Sequence, residues 1–232
     1  ASLKLTTFTV GASFNSADYT SYQGKEKAQR TTLDYLAVGL PVTKKLGVSF
    51  GLLPYTSVGY RVRTVDNDGV IRKYNGTGGL NKVFLGVGYK INNNFSVGAD
   101  MGYNFGQIET KGIMYIPGLQ FGTKETNDTE FNGLSFNFGG MYKAKVNKKY
   151  DIYGSLAYSP ESSLRLDSER SFALIDYVED FDPGTVGTPV VFSQERTLKM
   201  PSRLSFGAGF GQERKWLIGT EITMQQSGNF GW

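Results

Sequence analysis

The sequence predicts an all-β fold, an antiparallel transmembrane β-barrel, and three observations point to it. The first is strict alternation. Phe95, Val97, Ala99, Met101, Tyr103 and Phe105 take every other place, with Ser96, Gly98, Asp100, Gly102, Asn104 and Gly106 between them. Successive side chains of a strand point to opposite faces, so this arm has one apolar face and one small or polar face. Val83, Leu85, Val87, Tyr89 and Ile91 alternate likewise, and Asn92-Asn93-Asn94 joins the two arms as a tight hairpin turn. The second is composition. The 232 residues include 30 Gly and are 14% aromatic, yet only 39% are hydrophobic. A soluble sandwich needs more aliphatic residues, whereas a wall around a wet interior carries polar residues on its inner face.

The third observation is the rhythm of the connections. Turns of about four residues fall near 43–46, 92–94, 147–149 and 212–215, and about fifteen to forty residues separate the strands elsewhere, the asymmetry of outer-membrane barrels with short periplasmic turns and long external loops. Composition also excludes several classes. No run of about 18 apolar residues supplies a transmembrane helix. No secretory leader stands at Ala1, which fits a mature chain or a piece of one. There is no Cys and no His, so disulfides, thiolate metal sites and His-activated nucleophiles are absent. The net charge is +4, and Lys and Arg form no stripe interleaved with stacking aromatics, so nucleic acid is not an expected partner.

In order, strand one is expected over Leu3–Asn15, with Phe8, Val10, Ala12 and Phe14 on one face, and Ser16–Arg30 as a long loop. Strand two covers Thr31–Pro41; its facing is ambiguous, since Leu36, Val38 and Leu40 compete with Leu33, Tyr35 and Ala37. Strand three, Val48–Arg63, puts Val48, Phe50, Leu52, Val58, Tyr60 and Val62 on one face and Tyr55, Arg61 and Arg63 on the other. Thr64–Gly79 reads as a loop before the hairpin of strands four and five, and Glu109–Asn132 as another. Strand six carries Leu134, Phe136, Phe138, Tyr142, Ala144 and Val146; strand seven carries Tyr150, Ile152, Leu156 and Tyr158. Ser159–Lys199 is the longest stretch without a clear repeat. Strand eight is Arg203–Gly211, and strand nine is Trp216–Gln225 with Trp216, Ile218, Ile222 and Met224 outward and Glu221 and Gln225 inward. Aromatics at strand ends (Tyr60, Tyr89, Phe105, Tyr142, Tyr150, Tyr158, Trp216) fit interfacial girdles. Nine strands is an odd count, so either a tenth lies within 159–199 or the chain continues past Trp232; continuation is the expectation.

No catalytic, cofactor-binding or metal site is expected, and the chain reads as no enzyme. Gly47-Val48-Ser49-Phe50-Gly51 has the spacing of a nucleophile elbow, but no His and no helix follow it. Gly207-Ala208-Gly209-Phe210-Gly211 lies inside a strand, with no helix to receive phosphate. Arg61, Arg63, Asp100, Asn104, Asn137, Asp151, Arg203 and Glu221 are the polar candidates for the lumen, either along a path or as solvated residues that keep the interior wet. Glu179, Asp180 and Asp182 read as a solvated acidic loop, or as a divalent-ion site near lipopolysaccharide. Pro54 sits mid-strand, where it cannot donate to a ladder, so a bulge or a lateral kink is expected at Pro54 and Tyr55.

Met200-Pro201-Ser202-Arg203-Leu204-Ser205-Phe206-Gly207, a short turn, Trp216-Leu217-Ile218-Gly219-Thr220-Glu221 and a closing Trp232 resemble a hairpin of the FadL-type outer-membrane transporters. The resemblance covers roughly 30 residues; the alternation elsewhere is what any barrel shares. It implies a barrel of about fourteen strands, an N-terminal hatch, and a kinked third strand that releases apolar ligand sideways. Hatch and closing strands are missing here, which implies that residues 1–232 form a single barrel domain from the interior of a longer chain. The Asn- and Lys-rich turns resemble outer-membrane proteins of Bacteroidota. The expected function is passive passage of small hydrophobic molecules across the bacterial outer membrane, porin-like and without chemistry. The alternative is a non-transporting barrel subunit of a larger secretion or assembly complex. Expected partners are outer-membrane lipid and lipopolysaccharide, a hydrophobic small-molecule ligand, and other outer-membrane proteins.

Overall fold

The computed structural model describes residues 5–226 apart from 22–23, 148, 178–181 and 213–214. Trp232, Glu179, Asp180 and the start of the expected first strand lie outside the described residues. The described residues form eleven strands and no helix: β1 (Thr7–Ser21), β2 (Gly24–Pro41), β3 (Leu46–Val65), β4 (Ile71–Lys90), β5 (Phe95–Tyr115), β6 (Gly122–Lys145), β7 (Asp151–Ser159), β8 (Ser162–Ile175), β9 (Thr185–Met200), β10 (Arg203–Gln212) and β11 (Trp216–Gln225). All pair antiparallel in one sheet of order β1-β2-β3-β4-β5-β6-β7-β10-β11, with β8 on β6 and β9 on β8. Among the described residues β1 and β11 pair on one side only.

Eleven strands make nine arms. β6 pairs with β8 along its first half, to Asn132–Arg165, and with β7 along its second, from Phe138–Tyr158. β7 and β8 are therefore one arm, interrupted at Pro160-Glu161. β10 and β9 are likewise one arm interrupted at Pro201-Ser202, and the register runs through unchanged from Ser159–Arg203 to Ser162–Met200. The two interruptions lie side by side, each at a residue with no N–H to give the ladder. The residues between 159 and 199 thus extend two arms already counted, instead of adding a tenth strand.

The expected long loops are mostly strand. Ser16–Arg30 is the far end of the β1–β2 hairpin, Thr64–Gly79 holds the first half of β4, and Glu109–Asn132 holds the ends of β5 and β6. The true connections there are short, at 66–70 and 116–121. The error has a physical cause. Alternation marks a strand only where one face meets an apolar surrounding, whereas ladder hydrogen bonds form regardless of side-chain polarity. The asymmetry between the two ends of the sheet is an overhang of the arms.

Bulges in β2 and β3 exchange the faces of the residues beyond them, as the break at Pro160-Glu161 does between β7 and β8. Gly11 pairs with Tyr35 and Ala12 with Leu33, leaving Asp34 without a counterpart, bonded to the Ser13 and Thr32 hydroxyls. This resolves the ambiguity in β2: Leu33 shares a face with Leu36, Val38 and Leu40 because the extra residue lies between them. In β3, Pro54 pairs with Asn81 and Thr56 with Leu80, leaving Tyr55 without a counterpart. Beyond it the faces exchange. Val58, Tyr60 and Val62 lie opposite Phe50 and Leu52, and Arg61 and Arg63 join the face of Phe50.

Three of the short turns share one device. The Asn92 side chain accepts from the backbone N–H of Asn94 (2.8 Å) and Phe95 (2.7 Å), and Asn147 accepts from Lys149 (2.8 Å) and Tyr150 (2.9 Å). Thr43 does the same for Lys45 (3.1 Å) and Leu46 (3.0 Å). Asn and Thr are chosen as local acceptors.

At the β3 bulge the Thr56 hydroxyl accepts the Leu80 N–H at 3.3 Å, and a Cβ on Gly79 would press against the Thr56 carbonyl. Backbone cannot yield as a side chain can. Gly79→Val is expected to cost about 1–3 kcal/mol, the usual penalty of overpacking. Heat-modifiable gel mobility reads this as an earlier loss of the folded band. Gly59→Ala, where nothing lies within 4 Å, is expected to leave it unchanged.

Candidate functional site

The sheet is polar on its enclosed face and apolar on its exposed one. Along β5, Ser96 is 8% and Asn104 2% exposed, whereas Phe95 is 50% and Met101 44% exposed. The neighbours agree: Leu85, Val87, Phe138, Leu156, Phe206 and Ile222 are all exposed, and cross-strand register places them on the face of Met101. At the short-turn end this face closes with aromatics. Phe95 meets Tyr142 at 4.7 Å, and Tyr150, Phe210 and Trp216 form a group with centroids 5.3–6.0 Å apart. Tyr60 leaves the expected girdle, because the β3 bulge turns it onto the other face over Gly76.

The enclosed face carries a hydrogen-bonded lattice across four arms. Lys82 on β4 lies 3.7 Å from the Asp100 carboxylate on β5. Asn137 on β6 donates to the same carboxylate at 2.7 Å, and Ser159 on β7 donates to Asn137 at 2.5 Å. Beside it, Asn104 donates to the Ser135 hydroxyl (3.1 Å) and the Gly133 carbonyl (3.3 Å). Further along, Asp151, 3% exposed, lies 3.5 Å from the Lys143 ammonium. Every member has a partner on another arm, so the lattice is a tie between strands.

Six of the eight lumen candidates share this face: Asp100, Asn104, Asn137, Asp151, Arg203 and Glu221. Arg203 sits opposite Ser159, and Glu221 accepts from Thr223 at 3.2 Å. Arg61 and Arg63 do not share it; the bulge at Tyr55 carries them to the outward face. Pro54 also faces outward, and Tyr55 is half exposed. The wall does not part from β4 at this kink, since pairing resumes at once with Thr56–Leu80. Lys82, Ser135 and Ser159 are members that sequence reading missed. Their signal is register, which alternation within one strand does not contain.

Beyond the apolar stretch the arms β3–β6 and β8–β9 continue as an extension. Its outward face holds a small core of Ile113, Tyr115 and Ile175, with Ile71 against it. Described residues on either side of 178–181 lie against this core. Tyr115 donates to the Asp176 carbonyl at 3.0 Å and its ring meets Tyr177 at 4.8 Å. Lys124 donates to the Pro183 carbonyl at 2.9 Å. Asp182 pins these contacts, 3.2 Å from Lys111 and 3.5 Å from Lys124, and Lys111 also reaches Glu109 at 3.2 Å. Of the expected solvated acidic loop only Asp182 is described, and it pairs with lysines while its side chain stays 63% exposed. Among the described residues no group of three or more carboxylates is arranged to hold a metal ion.

Burial pushes the Asp182 carboxyl up, but the hydrogen bond and charge of Lys111, with the charge of Lys124, outweigh it and leave the group below its ordinary value. Burial pushes Lys111 down, and its bonds to Glu109 and Asp182 outweigh that and leave it above its ordinary value.

With the geometry in place, the chain was compared with known proteins. A family model described as BamG matches residues 1–231. The chain belongs to the BamG family. Neither the curated proteins nor the solved structures give a match. BamG membership places the protein in the bacterial outer membrane, in association with other outer-membrane proteins. It also corrects the FadL-type resemblance, and with it the passage of small hydrophobic molecules. The hairpin that carried the resemblance is an antiparallel pair of the one sheet, and its Pro201 lies where β9 and β10 are interrupted.

The Asp182 clasp has a pH signature. A carboxyl whose folded value is lowered adds stability above its unfolded value of about 3.9, and loses it as pH falls through the lower folded value. The contacts over Tyr115 are therefore expected to open only below about pH 4, read as faster hydrogen exchange at 176–177, 182 and 184. Asp182→Asn is expected to show the faster exchange already at neutral pH.

Proposed function

We propose that this BamG-family protein is a membrane-spanning, non-enzymatic subunit of the outer-membrane assembly machinery, the BAM complex. The family match over residues 1–231 is the observation that carries this reading. The polarity of the sheet supports the membrane part. The uninterrupted apolar alternation from Phe95 to Phe105 rises about 34 Å along the strand and about 24 Å at a 45° tilt, which suits the apolar band of an outer-membrane barrel. In this reading the exposed face meets lipid, the short Asn turns lie on the periplasmic side, and the extension stands outside the cell at the level of lipopolysaccharide. The enclosed face works as a strut, because its lattice consists of paired ions and amides. The long extension and the wide apolar wall are the surfaces available to neighbouring subunits.

The chain, tagged and extracted in a mild detergent, is expected to co-purify in stable proportion with the other assembly proteins of the membrane. Recovery as a solitary barrel would count against the subunit reading. Membrane embedding has its own test. Met101→Arg places a charge mid-way along the apolar face and is expected to lower folding stability in lipid by about 2–4 kcal/mol. Gln107→Arg, beyond the end of that face, is expected to cost roughly 1 kcal/mol or less. Equal effects at the two positions would place the wall outside the bilayer.

A further inference from the structure

β2 and β3 pair only between Leu36–Leu52 and Pro41–Gly47. Both strands then continue, β2 back to Gly24 along β1 and β3 up to Val65 along β4, and among the described residues they do not pair with each other again. The sheet forks there. The fork rests on the two bulges already described, Asp34 in β2 and Tyr55 in β3, which flank the last shared pair. A bulge bends its strand and increases its twist, so two at one level turn neighbouring strands apart. Pro54 adds to this, since it has no N–H to give either neighbour. A cavity of about 740 Å³ opens at the branch, and Thr32, Leu33, Pro54, Thr56, Ser57 and Phe105 are among the residues that line it.

Two strand edges therefore face each other across a gap, each with a second edge already paired. An unpaired edge is a row of N–H and C=O groups that templates pairing with another strand. In hydrocarbon such edges would lack partners. The fork begins at the row of Leu53, Lys82 and Asn104, one row before Phe105 ends the apolar stretch of β5, so all but the start of each edge stands clear of it. Charge narrows the choice of occupant. The unpaired length of β2, residues 24–35, holds Lys25, Lys27 and Arg30 against Glu26 and Asp34, with Asp18 of β1 opposite Lys27, and that of β3, residues 53–65, adds Arg63 and no acid. Asp34 is engaged with Ser13 and Thr32.

We propose that the fork between β2 and β3 is a strand-capture site, which takes an acidic, extended segment of another outer-membrane protein and adds it to the sheet by backbone pairing. This deepens the subunit reading and rests on it. Edge pairing supplies the attraction, and the surrounding Lys and Arg select the sign of the segment.

The test uses the purified full chain in detergent and three labelled ten-residue peptides. One alternates Val and Glu, one alternates Val and Lys, and one is the acidic peptide with Pro at every third position, which cannot pair. Because the chain has no Cys, Thr32→Cys and Ser57→Cys each introduce a unique thiol for disulfide capture of a thiol-bearing acidic peptide. The acidic peptide is expected to bind saturably, at least tenfold tighter than the other two, and to be captured at both thiols. Lys27→Glu with Arg63→Glu is expected to cut that preference at least tenfold, and Lys27→Glu alone to reduce it, with heat-modifiable mobility retained. Equal binding of the acidic and basic peptides, undiminished binding of the Pro-containing one, or capture at neither thiol would overturn the site. Co-purification with the assembly proteins is scored apart. A chain that co-purifies yet captures no peptide loses the fork proposal and keeps the subunit reading.

Discussion

The structure depends on one constraint: its large apolar side chains point away from the rest of the molecule. Phe95, Met101, Leu85, Phe138, Ile218 and Ile222 add little to any internal core, and among the described residues only Leu80, Ile113, Tyr115, Leu164 and Ile175 are buried hydrophobics. Cohesion must then come from the ladders and from whatever the enclosed face can tie together. That explains why the enclosed side holds ions and amides that bridge arms, Lys82 to Asp100 to Asn137 to Ser159, in place of aliphatic packing. It also explains the glycines among them. Small residues such as Gly86 and Gly102 leave room on the crowded side for Ser49 and Lys82.

The same constraint sets what could be read from the sequence. Where one face meets an apolar surrounding, alternation writes the strand into the residues, and β5 from Phe95 to Phe105 was legible to the residue. Past Phe105 the outward positions become Gln107, Glu109 and Lys111, the contrast between faces disappears, and a continuing strand looks like a loop. Bulges hide in another way. Asp34 made β2 look two-faced, and Tyr55 silently moved Arg61 and Arg63 to the wrong side. Six of the eight polar candidates share one face of the sheet because no bulge intervenes in their arms between the apolar repeat and the residue. The lattice itself was not legible, since it depends on the pairing of Asp100 with Asn137 and of Asn104 with Gly133 across separate arms.

Function was harder to reach than architecture, for a related reason. A barrel hairpin is shaped by the medium around it, so families with different tasks arrive at similar alternation, similar girdles and similar turns. The stretch from Met200 to Glu221 carries those shared features and little else, whereas a family model draws on the whole chain from residue 1 to 231. The residues that set this protein apart lie outside the repeat: the forked β2–β3 pair, the overhanging arms, and the Asp182 clasp.

The paired interruptions at Pro160 and Pro201 give the overhang a mechanical character. β8 and β9 form a leaf of two strands, and both strands are broken where they enter the wall. β6, 24 residues long, joins the two, holding β8 on its first half and β7 on its second, and β5 pairs with it along its length. A pull or push on the leaf therefore reaches the wall through the β6–β8 ladder and is shared at once with β5 and the strands beyond it.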